Sequence, residues 1–320
     1  MRYSFGNAQA LGQREEQQDS FAFSNPYDEA FLVHGGLLAV LADGMGGMAN
    51  GQAASRCCVR FFLQSYREKP PEESIPDALA RCLTATVLQL RKEIEARDLG
   101  DAGSTFIAAV LTSRHLYWVS VGDSALFAEC DGELRQLNNM HTYATELDAL
   151  AANGKLNPQL ALIDPQREAL ISFLGHSDPP LVDHGSIDFD PQHSVLLASD
   201  GLFKSLASPD IARRLRGTLQ QRCDLLVDAV IEKELPQQDN VTVLSMSWQE
   251  PAPPPAEVVS PWKGVLKRLF FVVLLCTCNL SAAPVDLMKK QTVFIVLAYK
   301  TPKGQGSGTG TGIMVDKTHV

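Results

Sequence analysis

The stretch "LADGMGGMANG", residues 41–51, decides how this chain folds, because an apolar run ends there in one carboxylate followed by glycines. Together with the preceding "GGLLAV" it predicts a buried strand that ends at Asp43. A plain turn needs one or two glycines, whereas three of the four residues after Asp43 are glycines. They indicate backbone that comes close to something small and charged. A glycine-rich loop that only caps the strand is the alternative.

The composition excludes several classes of protein. With 320 residues the chain can hold one large domain or two ordinary ones. An apolar fraction of 45% and a charged fraction of 20% are typical of a globular protein. The formal net charge of -9, without a basic face interleaved with aromatic residues, argues against nucleic-acid binding. The seven cysteines form no C-x-x-C pair, which indicates reduced thiols in the cytosol. The N-terminus is too polar for a signal peptide.

Short apolar runs bounded by turn residues predict strands in the first 250 residues. The runs are "LLAVLA" (37–42), "STFIAAVL" (104–111), "HLYWVSV" (115–121), "ALFAE" (125–129), "SVLLAS" (194–199) and "VTVLSMS" (241–247). Between them, apolar residues recur every three or four positions from Leu79 to Ile94, which predicts a helix over 77–96. Several strands in succession without a helix after each favour an α+β fold, with antiparallel sheets covered by helices.

Three further aspartates lie where predicted strands end or begin. Asp123 stands in "VGDS", Asp200 in "SDGL" and Asp239 in "DNVTV". Each alone is weak evidence, because aspartate is common in turns and caps. Together with Asp43 they can converge on one rim of the sheets, where carboxylates repel one another unless cations neutralise them. Oxygen ligands without cysteine or histidine favour magnesium or manganese over zinc.

Six motifs in a fixed order carry a family resemblance. "GQREEQQD", "ADGMGG", "GSTF", "VGDS", "SDGL" and "DNVTV" closely resemble the metal-dependent Ser/Thr protein phosphatases of type 2C, especially the bacterial members. The resemblance covers about residues 1–248. It implies a four-layer α-β-β-α sandwich with a two-metal site at one end of the central sheets.

The resemblance also implies the metal ligands. Asp43 would bridge two magnesium or manganese ions, and Gly44 would offer its carbonyl to one of them. Asp200 and Asp239 would hold the other ion, and Asp123 resembles a ligand of a weaker third one. Two such ions can lower the pKa of a water between them and present it in line with a phosphorus atom.

Two other residues take catalytic roles by the same resemblance. Asp19 would orient a metal-bound water, and Arg14 would bind the substrate phosphate. A planar guanidinium suits the nonbridging phosphate oxygens. Without its spacing to Asp19, Arg14 would read as a surface arginine beside Glu15 and Glu16.

The chain departs from the family pattern at three positions. Gln18 stands where members often have glutamate, so the metal on that side is expected to bind less tightly. Met45 replaces a histidine that animal members carry, which leaves the general acid unassigned. Met140 replaces an aspartate before His141, so we interpret His141 as structural.

The sequence beyond the domain at 1–248 predicts three further segments. "QEPAPPPAEVVSP" makes 249–262 a proline-rich linker. The apolar run in 263–288 predicts a transmembrane segment that anchors a cytoplasmic phosphatase domain in the inner membrane near residues 265–285, with a buried helix as the alternative. The tail 289–320 weakly resembles the first strands of a trypsin-like serine protease domain, which would make the chain a fragment; a flexible glycine-rich tail is the alternative.

These observations predict a phosphatase that acts on phosphoserine and phosphothreonine in proteins, which would be substrates of a Ser/Thr kinase. Two other functions stay open. One is a pseudophosphatase that binds phosphoproteins without hydrolysing them. The other is a metal-dependent hydrolase of a small phosphorylated molecule.

Overall fold

The computed structural model describes residues 2–46, 49–130, 132–176 and 179–249. The apolar segment, the tail and all but the first residue of the proline-rich linker predicted from the sequence lie outside these described residues. Their boundaries therefore stay predictions.

Two antiparallel sheets form the centre of this part of the chain. The strands are β1 (Arg2–Ala10), β2 (Asp19–Phe23), β3 (Leu37–Met45), β4 (Gly103–Ser104), β5 (Phe106–Leu111), β6 (His115–Val121), β7 (Ala125–Cys130), β8 (Glu133–Gln136), β9 (Asp183–Asp188), β10 (Ser194–Ala198) and β11 (Val241–Gln249). The helices are α1 (Glu29–Gly35), α2 (Ala49–Arg67), α3 (Ile75–Arg97), α4 (Tyr143–Ala152), α5 (Pro158–Leu162), α6 (Asp200–Ser205), α7 (Ser208–Ala212) and α8 (Leu219–Ile231). One sheet has the order β1-β11-β10-β7-β8, and the other has the order β2-β3-β5-β6-β9 with the short β4 paired to β3.

The side chains of β3 alternate between two hydrophobic clusters, as they must in a strand that is buried on both faces. Leu37, Ala39 and Leu41 belong to the cluster between the sheets. They share it with Leu197 of β10 and Leu244 of β11 in the other sheet. The residues between them pack on the opposite face, in a cluster with α2 and α3. A third cluster joins the other sheet to α8. The layers are therefore α-β-β-α, which confirms the predicted α+β sandwich.

All six predicted strands are present, as β3, β5, β6, β7, β10 and β11, and the first residue of the run 104–111 lies in the short β4. The strand β1 was not predicted, because "RYSFGNAQA" has no apolar run. It forms at the edge of its sheet by pairing along its whole length with β11, from Arg2 opposite Gln249 to Ala10 opposite Val241. Its existence depends on a partner more than 200 residues away in sequence.

The predicted helix over 77–96 lies inside α3. Ser74 caps its N-terminus with its side chain, which accepts a hydrogen bond from a backbone N–H in the first turn. Leu79, Leu83 and Leu90 on the predicted apolar face are buried. They cover the outer face of the sheet that contains β3.

The prediction of a membrane-spanning helix needs correction. Among the described residues, no helix combines the length and the apolar character that crossing a bilayer requires. The helix α3 has 23 residues, but it buries one face and carries charged side chains on the other. The segment 263–288, on which the prediction fell, lies outside the described residues. A membrane anchor near residues 265–285 is therefore not retained.

Candidate active site

The ends of strands from both sheets bring the predicted acidic residues together. Asp19 begins β2 and is the cross-strand partner of Asp43 in β3. Asp200 begins α6 directly after β10, and Asp239 lies just before β11. Asp123 stands in the turn between β6 and β7. The charges of the other four carboxylates all act on Asp43, so these five residues form one acidic centre.

Two hydroxyl groups from the opposite sheet hold Asp19. Its Oδ2 accepts hydrogen bonds from Ser199 Oγ at 2.8 Å and from Thr242 Oγ1 at 2.6 Å. Its Oδ1 is buried and has no hydrogen-bond partner in the described part of the chain. Burial raises the pKa of Asp19 to about 7, although the two hydroxyls lower it. The carboxyl group is thus fixed through Oδ2, and the Asp43 side chain interacts with it from the neighbouring strand.

The carboxyl group of Asp43 lies among the other four acids of the centre. Desolvation of its carboxyl raises its pKa well above the usual range, and the charges of the other four acids raise it further. Its backbone is held on both sides: the N–H donates to Thr105 Oγ1 at 3.1 Å, and the carbonyl accepts from the Thr105 N–H at 2.8 Å. Ser104 Oγ donates to the same carbonyl at 2.9 Å. These bonds fix the strand end that carries the carboxylate.

The glycines of the "ADGMGG" motif allow backbones to approach closely. A Cβ on Gly44 would lie 2.1 Å from the carbonyl oxygen of Gly51 in α2 and 2.8 Å from that of Gln18. The Gly44 N–H donates to the Gln18 carbonyl at 3.1 Å. Gly46 has a φ of +132°, which side-chain-bearing residues rarely adopt, and Gly47 lies outside the described residues. The role of the Gly44 carbonyl as a metal ligand stays a prediction.

Asp123 and Asp200 are both buried, and each carries one buried oxygen with no hydrogen-bond partner among the described residues. Burial, followed by the charge of Asp200, raises the pKa of Asp123 to about 7. Burial also raises the pKa of Asp200, against the opposing effect of Lys204. Lys204 Nζ donates a hydrogen bond to Asp200 Oδ2 one helical turn away, a contact that the sequence analysis did not predict.

Arg14 contacts Asp239, one of the predicted metal ligands, and so lies at the acidic centre. Its NH2 group donates to Asp239 Oδ2 at 2.8 Å, and its side chain is 52% exposed. The other oxygen, Asp239 Oδ1, accepts from the Asn240 N–H at 2.8 Å. The guanidinium therefore stands at the solvent side of the acidic centre. That it binds the substrate phosphate stays a prediction.

The interpretation of His141 as structural is confirmed. Its Nδ1 accepts a hydrogen bond from the Gly122 backbone N–H at 3.0 Å, and the backbone N–H of His141 donates to the Gly122 carbonyl at 2.9 Å. Burial lowers the pKa of His141, which favours the neutral ring that this bond requires. His141 thus holds the turn that presents Asp123.

The hydroxyl side chains that hold Asp19 were not predicted from the sequence. Ser199 stands directly before Asp200, and Thr242 lies just after Asp239. A polar residue that interrupts an apolar strand next to an acid was the available signal. It does not say which acid the hydroxyl contacts, and both contact Asp19 on the opposite sheet.

The donor atoms of the acidic centre fit a hard divalent cation. Within the described residues, Asp19, Asp123 and Asp200 each offer a buried oxygen without a hydrogen-bond partner, and such atoms are costly to bury unsatisfied. As the side chains stand, no three acids, histidines or cysteines in the described ranges converge tightly enough to hold one ion. Two of the acids instead contact the cationic groups of Lys204 and Arg14. The ligand roles therefore stay predictions, supported by donor chemistry.

Comparison with known families identifies the class of protein. Residues 9–238, more than half of the chain, match the family Protein phosphatase 2C. The chain therefore belongs to this family, and the resemblance drawn from its six motifs is confirmed. It is a metal-dependent protein-serine/threonine phosphatase.

Bacterial phosphatases are among its relatives. The serine/threonine phosphatase stp of Listeria monocytogenes is 27% identical over 214 residues, which cover 65% of this chain and 82% of the relative. The serine/threonine protein phosphatase PstP of Mycobacterium tuberculosis is 28% identical over 221 residues, which cover 68% of this chain and 41% of the relative.

Solved structures share the fold. The crystal structure of the Mycobacterium tuberculosis phosphatase PstP/Ppp matches with a TM-score of 0.65 at 24% identity, and the match covers 78% of this chain and 100% of that one. The catalytic domain of a PstP in complex with two manganese ions matches with a TM-score of 0.60 at 23% identity, over 77% of this chain and 97% of that one. At these identities the structures establish the fold.

Proposed function

We propose that this phosphatase hydrolyses phosphoserine and phosphothreonine in proteins, using a water activated at a centre of two magnesium or manganese ions. The observation that carries the proposal is the position of Asp43, which lies within electrostatic reach of four other carboxylates. Such a concentration of negative charge in a desolvated site is costly unless cations neutralise it. Phosphorylated proteins are the substrate class of the family.

Asp43, Asp200, Asp239 and the Gly44 carbonyl would hold the two ions. Bound there, the ions would lower the pKa of a water toward neutrality and offset the negative charge of the phosphoryl group. The backbone bonds of Asp43 to Thr105 hold the end of β3 that carries this carboxylate. A strand end fixed in this way limits the rearrangement that ion binding requires at Asp43.

Asp19 is suited to orient the attacking water. The hydroxyls of Ser199 and Thr242 immobilise its Oδ2, and its Oδ1 has no partner within the described residues. A carboxylate oxygen fixed in this way can accept a hydrogen bond from water and hold one lone pair toward the phosphorus atom. The same oxygen can take the proton that the water gives up.

Arg14 is suited to bind the substrate phosphate. One of its nitrogen atoms is held by Asp239 at 2.8 Å, and half of the side chain is exposed to solvent. The remaining N–H groups of the planar guanidinium can donate to two phosphate oxygens at once. Anchoring by Asp239 reduces the conformational entropy that Arg14 loses on binding.

We further propose that the domain works in the cytoplasm. Phosphoserine and phosphothreonine in proteins are made by kinases that consume ATP, so the substrates arise in that compartment. The reduced cysteines expected from the sequence agree with this location.

A substrate panel tests the proposal. We expect the protein to hydrolyse phosphoserine and phosphothreonine peptides in manganese, to lose the activity in EDTA and to regain it when manganese is restored. Asp43→Asn should lower kcat at least about a hundredfold, the scale on which metal-site support matters. The matched control is Asp188→Asn, which changes a 97% exposed carboxylate far from the site and should leave kcat unchanged.

Two outcomes would contradict the proposal. Binding of phosphopeptides without hydrolysis in manganese would point to a phosphoprotein-binding module. Faster hydrolysis of small sugar phosphates than of phosphopeptides would point to a hydrolase of small molecules.

A further inference from the structure

The residues between β1 and β2 form a loop that carries Arg14 to Asp239. This loop comprises residues 11–18, and it lies against the chain just before β11. The Gln13 N–H donates to the Gln238 carbonyl at 2.8 Å, and Arg14 NH2 donates to Asp239 Oδ2 at 2.8 Å. The position of Arg14 therefore depends on how this loop is held.

One buried side-chain amide joins the two ends of the loop. Asn240 Nδ2 donates to the Leu11 carbonyl at 2.8 Å, and Asn240 Oδ1 accepts a hydrogen bond from the Gln18 N–H at 2.8 Å. Asn240 is only 3% exposed, which shields these bonds from water. Its backbone N–H donates to Asp239 Oδ1 at 2.8 Å. The same residue thus holds both ends of the loop and the carboxylate that Arg14 contacts.

A glycine lets the loop approach the chain before β11 closely. Gly12 has a φ of +65°, in the left-handed region that residues with a side chain disfavour. A Cβ at this position would lie 2.2 Å from the Asp239 carbonyl oxygen and 2.6 Å from the Gln238 carbonyl oxygen. Both distances are well below van der Waals contact. The loop is therefore fixed by close packing as well as by hydrogen bonds.

A fixed loop matters because Arg14 itself is only weakly confined. Its contact with Asp239 is an ion pair in which the arginine side chain is 52% exposed, and exposed ion pairs hold long side chains weakly. Ordering a mobile backbone when the phosphate binds would reduce affinity further. A loop that Asn240 has already closed avoids that loss.

We propose that Asn240 is a positioning residue for substrate binding, which closes the loop 11–18 so that Arg14 meets the phosphate of a phosphopeptide in a fixed place. The proposal rests on the role of Arg14 proposed above. In this role Asn240 does not contact the phosphate and acts through Arg14. Its loss should therefore change substrate binding more than metal binding.

Kinetics of Asn240→Ala on phosphoserine peptides in saturating manganese test this role. Alanine removes both bonds across the loop and keeps the backbone N–H that holds Asp239. We expect KM to rise about tenfold, the scale of one charge-assisted hydrogen bond, with a smaller change in kcat. The competitive inhibition constant of inorganic phosphate should rise by the same factor.

Gly12→Ala provides a second variant that displaces the loop without changing Asn240. Its Cβ cannot fit against the carbonyl oxygens of Gln238 and Asp239, so the loop must shift. KM and the phosphate inhibition constant should rise as they do in Asn240→Ala. This variant also measures the effect of the loop if Asn240→Ala does not fold.

A double-mutant cycle shows whether Asn240 acts through Arg14. Arg14→Ala removes the group that Asn240 positions, so adding Asn240→Ala to Arg14→Ala should raise KM little further. Two independent roles would instead multiply the two increases in KM.

Asn138→Ala is the matched control. Asn138 is also buried, at 4% exposure, and it also accepts from one backbone N–H, of Leu126 at 2.8 Å, and donates to one backbone carbonyl, of Ser124 at 2.9 Å. These bonds lie at the turn between β6 and β7 and not at the loop 11–18. The control should lose a similar amount of Tm and keep the KM and the phosphate inhibition constant of the wild type.

Thermal melting provides a measurement that does not depend on activity. In EDTA it compares the stability of the variants. Over a manganese titration, the rise in Tm of Asn240→Ala should equal that of the wild type, because the acidic centre keeps its carboxylates.

Each contrary outcome has a distinct meaning. An unchanged KM in Asn240→Ala, multiplied effects in the double variant or an equal rise in KM in Asn138→Ala would overturn the role of Asn240 and leave the phosphatase reaction intact. An unchanged KM in Arg14→Ala would overturn the role of Arg14 and this inference with it. Absence of phosphopeptide hydrolysis by the wild type would overturn the proposed function itself.

Discussion

At the scale of single residues, the acidic centre lowers the stability of the metal-free fold. Asp19, Asp123 and Asp200 are all buried, and burial raises the pKa of each. In an unfolded chain the same carboxyls ionise freely near pH 4. Folding without metal therefore requires either protonation of these groups or the burial of their charges.

The metal-free protein should lose stability as the pH rises from about 4 to about 7. The pKa of Asp123 is about 7 in the fold and near 4 in the unfolded chain. Between these values the folded state binds more protons than the unfolded state, so the free energy of unfolding falls with rising pH. Asp123→Asn, which carries no charge, should accordingly raise the Tm in EDTA by a few degrees at pH 8, corresponding to roughly 2 kcal/mol, and by little at pH 4.

Thermal melting from pH 4 to pH 8 in EDTA measures this difference. Asp188→Asn is the control, because it removes a charge from a carboxylate that is 97% exposed. A gain in Tm for Asp123→Asn that is the same at both ends of the pH range would show that ionisation of Asp123 is not the cause.

At the scale of structural elements, hydrogen bonds to Asp19 join the two sheets at the acidic centre. Asp19 begins β2 in one sheet, whereas its partner Thr242 lies in β11 of the other. Thr242 is fully buried, and its Oγ1 also accepts a hydrogen bond from Gln9 Nε2 at 2.9 Å. One hydroxyl thus ties β1, β2 and β11 together where the carboxylates meet.

Thr242→Val should weaken both the fold and the reaction. Valine has nearly the same shape but cannot hydrogen-bond, so Asp19 and Gln9 each lose a partner in a buried place. We expect a loss of about 1–3 kcal/mol in the free energy of unfolding and a fall in kcat of about tenfold or more, because Asp19 loses part of its support.

Urea unfolding and steady-state kinetics measure the two effects. Thr84→Val is the matched control, since Thr84 Oγ1 donates to the Ala80 carbonyl on the exposed side of α3. If both variants lost the same free energy of unfolding and the same kcat, the contact of Thr242 with Asp19 would not be the cause.

At the scale of the whole molecule, metal binding and folding are coupled. The acids of the centre come from both sheets, so the site is complete only when the sandwich is assembled. A net charge of -9 adds a general repulsion that bound cations reduce. An ion that binds the folded state and not the unfolded chain shifts the equilibrium toward the fold.

Manganese should therefore raise the Tm of the protein. At a hundred times the Kd the expected stabilisation is about 2.7 kcal/mol, or roughly 5–10 °C for a domain of this size. The measurement is thermal melting over a manganese titration at constant ionic strength. Asp43→Asn should abolish most of the shift; a shift of the same size in that variant would place the bound manganese outside the acidic centre.

The amino-acid sequence alone was enough to predict the features of this protein that depend on local pattern. Short apolar runs bounded by turn residues specified the six central strands, and the spacing of Leu79, Leu83 and Leu90 specified α3. The motifs around Asp43 and the other strand-end acids identified the family. These features can be predicted from the sequence because hydrophobic periodicity and turn chemistry act over a few residues.

Which side chains contact one another could not be predicted before the fold was known. The contacts of Asp19 with Ser199 and Thr242 join residues 180 and 223 positions apart, and β1 becomes a strand only through β11. The ion pair of Lys204 with Asp200 is close in sequence, whereas Asp123 and Asp200 come to the same end of one sheet only because β7 pairs with β10. The local sequence pattern does not reveal which distant residues come into contact, because these contacts follow from the packing of two sheets around a shared core.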